Sequence, residues 1–152
     1  MTFTVRPATA SDAVAISQLI TGWAYHYLDD PPPPEAANFL ATLTPAATAE
    51  RITSENFRYY VAQGRTGVDG VIAIRNGSHL YHLFVRSEAH GQGIARALWE
   101  HAKAQSGTSG SFVVNSSLPA IPVYERFGFV AKDGPQQANG LVFVPMEYVR
   151  GE

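Results

Sequence analysis

His90-Gly91-Gln92-Gly93-Ile94-Ala95 combines the residue types from which an anion cradle is built. Two glycines let the main chain turn tightly and approach a ligand with no Cβ in the way. The apolar strand pattern of Leu80 to Val85 gives way at this point to a helical one, Ile94 to Gln105, so a helix opens here with its first N–H groups unpaired. Those donors, with the positive end of the helix dipole, suit a pyrophosphate. Of two common phosphate loops, one fits poorly and the other fails. A dinucleotide fingerprint needs a third glycine where Arg96 stands, and an acidic residue closing a strand about 20 residues later, which is missing. A P-loop needs Gly-Lys-Ser/Thr, whereas Gly93 is followed by Ile94 and Ala95.

The longer run Leu83-Phe84-Val85-Arg86-Ser87-Glu88-Ala89-His90-Gly91-Gln92-Gly93-Ile94-Ala95-Arg96-Ala97-Leu98 resembles the acyl-CoA signature of the GNAT superfamily of N-acetyltransferases. That signature is an Arg or Gln, two residues, Gly, one residue, then Gly or Ala. The chain departs from it at the first position, His90, which leaves the main-chain cradle intact and is expected only to tune CoA affinity. A second stretch, Asn115-Ser116-Ser117-Leu118-Pro119 through Tyr124 to Gly128-Phe129, is similar to the later superfamily motif, a strand running into a short helix that carries a Tyr and then Gly-Phe. The family often has Asn seven residues before that Tyr. Here Ser117 holds the place and the Asn is Asn115. With the opening Val5-Arg6-Pro7-Ala8 to Asp12 and the closing Val144-Pro145-Met146-Glu147, the similarity spans essentially the whole chain.

The resemblance implies acetyl-CoA as co-substrate, held by His90, Gly91, Gln92, Gly93, Ile94, Ala95 and Arg96, by the main chain of Leu83, Phe84 and Val85, and by Asn115 and Ser117. It also implies that Tyr124 is the acid for the leaving thiolate. A phenol near 10 giving its proton to a thiol near 8.5 works uphill by about 1.5 units, roughly 2 kcal/mol, so hydrogen bonding to the thiolate serves as well as full transfer. For the base, strand alternation puts His79 and Tyr81 on one face and His82 on the other, and histidine is the side chain best poised to take a proton near neutrality. His79 is the candidate, with water as the alternative. Asp29 and Asp30, beside Tyr25, precede the prolines Pro31 to Pro34 where the family's acceptor-binding elements lie. With Tyr81 they would suit a cationic amine, carried by a small molecule or a peptide. The other reading of the chain is a non-catalytic acyl-CoA-binding or sensor domain of the same fold.

The elements that must position these groups follow from local pattern. Thr2 to Arg6 reads as a strand. Ser11 is a candidate cap for a helix with Ile16, Leu19, Ile20 and Trp23 on one face, stopped by the four prolines. Two short helices follow, about Glu35 to Leu43 and, from the cap Thr44 with Pro45 at the first helical position, to about Ser54. Strands at Arg58 to Gln63, Val71 to Arg75 and Ser78 to Val85 form an antiparallel meander, with Asn76-Gly77 as a hairpin turn. The helix Ile94 to Gln105 turns Ile94, Ala97, Leu98, His101 and Ala102 to one side and ends at Gly107. A strand Ser111 to Asn115, a helix Pro119 to Phe127, and strands Phe129 to about Lys132 and Leu141 to Val149 complete the chain. The fold class is α/β (α+β), a mixed, mostly antiparallel sheet with helices on both faces. The resemblance further implies that parallel neighbours Ser78 to Val85 and Ser111 to Asn115 splay apart to admit acyl-CoA.

Composition agrees with a small soluble protein. At 152 residues and 45% apolar, the chain is sized for one domain, residues 1–152. Eleven basic against 13 acidic residues, net charge -2, give no field for nucleic acid or an anionic membrane. With no cysteine, disulfides and thiolate chemistry are excluded, and the five histidines lack metal-ligand spacing, so no metal is expected. No run approaches the roughly 18 apolar residues of a membrane span, and the N-terminus lacks a leader pattern. A cytoplasmic protein is expected, with a homodimer as a candidate assembly.

Overall fold

The computed structural model describes residues 3–27, 34–106, 111–138 and 141–149. A sheet runs through the chain in the order β1-β2-β3-β4-β5-β8-β6, with β7 paired to the other end of β8. The strands are β1 (Thr4–Pro7), β2 (Phe57–Gln63), β3 (Val68–Arg75), β4 (His79–Val85), β5 (Ser111–Ser116), β6 (Val130–Ala131), β7 (Gln136–Ala138) and β8 (Leu141–Val149). All neighbours are antiparallel except β4 and β5. The meander closes at Asn76-Gly77, both at positive φ (54° and 76°), the conformation that a two-residue hairpin turn requires.

The helices are α1 (Ala13–Tyr27), α2 (Ala37–Ala41), α3 (Pro45–Ile52), α4 (Ile94–Gln105) and α5 (Ile121–Phe127). On one face of the sheet, Ile16, Ile20 and Ala24 of α1 pack with Leu43 on Tyr59, Val61, Val71 and Ala73. On the other, Ile94, Leu98 and Trp99 of α4 pack with α5 on Tyr60, Ile72, Ile74 and Phe112. Gly70 lets α4 lie close to β3, since a Cβ there would come within 3.0 Å of Ile94 and 3.1 Å of Leu98. Trp99, fully buried, is ringed by Phe112, Phe127, Phe129 and Tyr148 at centroid distances of 5.0 to 6.2 Å.

Helix starts depend on short polar contacts. Thr44 caps α3 by accepting from the Ala47 N–H at 3.2 Å, with Pro45 next. The first helical turn is capped by Thr9 rather than Ser11: Asp12 accepts from the Thr9 N–H at 2.8 Å, and a 3₁₀ turn over Ala10–Asp12 leads into α1. Asp12 also holds Arg6 in a bidentate pair at 2.9 Å, which pins β1 to this turn. The Arg6 hydrogen bond, partly offset by burial, keeps the Asp12 carboxyl below its ordinary value. No helix among the described residues is long and apolar enough to cross a membrane.

Candidate functional site

β4 and β5 pair only at His79↔Val113 and Leu80↔Val114. Beyond Leu80 the two strands part, and a cleft of about 1350 Å³ opens between them. β5 runs on through Asn115 and Ser116 paired only with β8, while β4 is interrupted at Tyr81 directly after its last pair with β5. The Arg86 N–H donates to the Asp69 carbonyl at 2.9 Å, that is, toward β3. Alternation therefore turns the main-chain groups of Phe84 toward β3 as well, and those of Leu83 and Val85 toward the gap. Of the three residues expected to present this edge, two do so. The Val85 carbonyl already accepts from the Trp23 indole at 3.0 Å and faces Nε2 of His90 at 2.9 Å, the two rings being stacked 5.5 Å apart. His90 thus bonds back onto α1 and the end of β4.

The loop between β4 and α4 turns on Gly91 (φ 82°) and Gly93 (φ 77°), and Gly93 is the residue from which α4 springs. No side chain caps that end, and the first α-helical bond runs from the Ala97 N–H to Gly93. The N–H groups before it face outward unpaired within the helix. A Cβ added at either glycine would meet no protein atom within 4 Å, so the space above the loop is open. Ile94 is buried as the anchor, while Gly91, Gly93, Ala95 and Arg96 border the cleft. Gln92 is exposed and lies outside the cleft wall. Arg96 lies over the Phe127 ring at 5.1 Å and donates to the Arg126 carbonyl at 3.3 Å, which joins α4 to α5.

On the opposite bank, Asn115 and Ser117 border the cleft at the end of β5, with Ser116 buried between them. Tyr124 of α5 is buried, edge-on to Phe129 at 5.5 Å and to Phe127 at 6.3 Å, and it too lines the cleft. Gly128, at φ 102°, ends α5 and lets Phe129 return to the core.

At the closed end of the gap β4 carries a bulge. Ala73 pairs with His82 and Ile74 with Leu80, so Tyr81 is an extra residue opposite none. The bulge overturns the expected alternation. Tyr81 and His82 both face the α1 and α3 side, with ring centroids 4.4 Å apart, and His79 joins them at 6.3 Å from Tyr81. His82 therefore shares a face with His79 instead of opposing it. Its ring is 6% exposed, lies 6.2 Å from that of Tyr59, and its Nε2 has no hydrogen-bond partner. Burial, aided by the Arg51 cation and opposed by a hydrogen bond with the Tyr81 backbone, pushes its pKa down to about 3. Burial and the neighbouring Arg75 lower that of His79 as well. Nη2 of Arg75 lies 3.3 Å from Nδ1 of His79. A guanidinium can only donate, so Nδ1 accepts and the ring hydrogen sits on Nε2. Tyr81, His79 and His82 line the cleft, facing Asn38 and Thr42. Among the described residues no carboxylate does so. Asp29, Asp30 and the side chain of Tyr25 lie outside the described residues.

The profile of the acetyltransferase (GNAT) domain family matches residues 27–150. The chain belongs to the GNAT acetyltransferase family. No curated protein matches it by sequence. In fold it is similar to a GCN5-related N-acetyltransferase from Rhodopseudomonas palustris, at 19% identity and TM-score 0.79, over 98% of this chain and 96% of that one. PaiA N-acetyltransferase from Thermoplasma acidophilum, solved in complex with coenzyme A, is 12% identical with TM-score 0.78, over 98% and 99%. A variant of the spermidine N-acetyltransferase SpeG from Vibrio cholerae is 17% identical with TM-score 0.67, over 98% and 94%. At these identities the likeness is one of fold.

Within this GNAT fold the sequence-marked residues Gly91, Gly93, Ala95, Arg96, Asn115, Ser117, Tyr124, His79 and Tyr81 gather on one cleft. Several of its features carried no sequence signal. Trp23, expected on a helix face and beside the candidate acceptor residues, also holds the Val85 carbonyl. Gln137, Leu141 and Phe143 of the β7–β8 hairpin form a wall. Arg51 and Arg75, at 5.5 and 5.3 Å from the Tyr81 ring, come from distant segments that no spacing links.

Proposed function

We propose that the protein transfers an acetyl group from acetyl-CoA to a primary amine by direct attack in a ternary complex. The observation that carries this reading is the parting of β4 from β5, which leaves the main-chain edge of Leu83 and Val85 turned into a cleft shared with the glycine loop and Tyr124. In this reading the pyrophosphate lies on the N–H groups from Gly91 to Ala95, and the pantetheine arm runs along β4 toward the closed end of the gap. An N–H of that edge meets the carbonyl oxygen as negative charge develops there. The amine lone pair attacks the thioester carbon, the C–S bond breaks, and the thiolate takes a proton or a hydrogen bond from the Tyr124 hydroxyl. With Nδ1 of His79 engaged by Arg75, the proton lost by the amine passes to water unless that contact opens. The CoA complex of PaiA and the spermidine acetyltransferase fold support acetyl-CoA and a small-molecule amine as the two substrates.

A thiol-release assay with acetyl-CoA over a panel of primary amines tests the reading. Amine-dependent release is expected. Tight CoA binding with no release on any acceptor would instead identify an acyl-CoA-binding domain.

A further inference from the structure

Two arginines converge on one ring at the inner end of the cleft. The guanidinium carbons of Arg51, from α3, and Arg75, from the end of β3, lie 5.5 and 5.3 Å from the Tyr81 centroid. Neither Arg51 nor Arg75 has an acidic partner among the described residues, a state they share with Arg58, Arg65 and Arg126. Nε of Arg51 donates to the Tyr59 hydroxyl at 2.8 Å, but its Nη2 is buried with no acceptor, as is Nε2 of His82 beneath the same ring. Two cations packed against one ring, one of them with a buried donor that lacks an acceptor, carry an electrostatic cost that an anion at that ring would offset. The Tyr81 ring and His79 form the cleft surface in front of these cations.

We infer that this end of the cleft is a carboxylate subsite, and that the acceptor is an amino-acid-like amine whose own carboxylate lies against Tyr81 and His79, drawn there by the charges of Arg75 and Arg51 packed behind them. The inference rests on the acetyl-transfer reading only in placing the amine. Tyr81 is the bulged residue at the point where β4 and β5 part, which is where the acyl end of an arm lying along β4 arrives. A carboxylate held at Tyr81 therefore leaves its amine facing the thioester. The same two cations oppose a polyamine, for which no counter-charge lines the cleft among the described residues. They also disfavour the ammonium form of the acceptor, which aids loss of its proton.

The test uses matched trios: L-amino acids, their C-terminal amides and the corresponding decarboxylated amines, each with acetyl-CoA and the full-length protein. The free acid is expected to exceed both relatives in kcat/KM by roughly tenfold or more. Arg75→Gln should abolish that preference, the free acid losing far more in KM than the amide does, and Arg75→Lys should restore part of it. An equal loss on all three acceptors, or a preference for the amine without a carboxylate, would overturn the subsite. Binding is measured separately, by titrating N-acetyl amino acids and their amides into the CoA-saturated protein. A preference for the free acid supports the subsite even if no acceptor turns over, in which case the acetyl-transfer reading alone fails. Lack of preference sinks the subsite even if simple amines are acetylated.

Discussion

The two ends of the cleft are built from different material. The mouth, from Val85 to Ala95, presents main chain: two glycines at positive φ, the opening N–H groups of α4 and the turned-out edge of β4. The closed end presents side chains: a bulged tyrosine, two histidines driven toward their neutral forms and two arginines without counter-ions among the described residues. A ligand held by main chain asks only that the backbone adopt certain dihedrals, so many sequences can meet it. A ligand held by side chains asks for particular groups. Structures only 12 to 19% identical share this fold, and the closed end is where this chain can be individual.

If the mouth merely binds and the chemistry lies farther in, Tyr124→Phe should separate the two most strongly. Turnover is expected to fall by about 10²- to 10⁴-fold with CoA affinity nearly unchanged, because the hydroxyl acts on charge that develops in the transition state. Steady-state kinetics beside a CoA titration read both quantities. A wild-type kcat at saturating substrates would leave Tyr124 as a packing residue against Phe127 and Phe129.

The closed end also has a stability signature. His82 is buried with its pKa down at about 3, so below pH 6.5 the unfolded chain takes up a proton that the native ring refuses until near pH 3. Its contribution is complete above pH 6.5 and is lost as pH falls through that window, by about 3 kcal/mol between pH 7 and pH 4. His82→Phe keeps a ring against Tyr59 and Tyr81 and removes the proton site. Urea unfolding at the two pH values should show a smaller loss for the variant by that amount. Asp12, whose lowered carboxyl costs stability as pH falls through its own range, is common to both proteins and cancels. Equal slopes would mean that the His82 ring takes up protons freely in the native state.

At the mouth, Gly93→Val tests the cradle. The residue sits at φ 77°, where a branched side chain is strained, and its Cβ would project into space that no protein atom occupies. CoA affinity should drop by roughly tenfold or more with the far-UV signature of the fold retained. Undiminished affinity in a folded variant would remove the loop from the binding site.

These two regions also differ in how far the sequence alone describes them. Asn76-Gly77, Gly91, Gly93 and the Thr44-Pro45 cap are local devices, readable because each residue type solves a problem within its own turn. The bulge at Tyr81 is not local. Strict alternation assigned His82 to the wrong face because one unpaired residue resets the period, and only the register against β3 reveals it. Trp99 was missed for a related reason. The apolar stripe Ile94, Ala97, Leu98, His101 and Ala102 omits it, yet it is fully buried because Phe112 and Phe129, far along the chain, supply its pocket. Similarly, Ser11 is a sound cap by type, but Asp12 is already held by Arg6, and Thr9 completes the box with it.

The smallest expected effect concerns His79, the sequence's candidate for the base. Its neutral form is favoured by burial and by Arg75, as a base requires, but the contact that favours it also occupies Nδ1, while Nε2 carries the hydrogen. Catalysis through His79 would require breaking a hydrogen bond to a cation at each turnover. If water takes the proton instead, His79→Ala should lower the rate only a fewfold, and the pH profile below about pH 8 should keep its shape, since the acceptor's own ionisation sets it. Arg75→Gln offers the complementary arm, because it frees Nδ1 and lifts one of the two influences that hold the His79 pKa down. A rate deficit in His79→Ala that deepens toward low pH and vanishes near the amine's pKa would restore His79 as the base. It would also show that the Arg75 contact opens once the acceptor is bound.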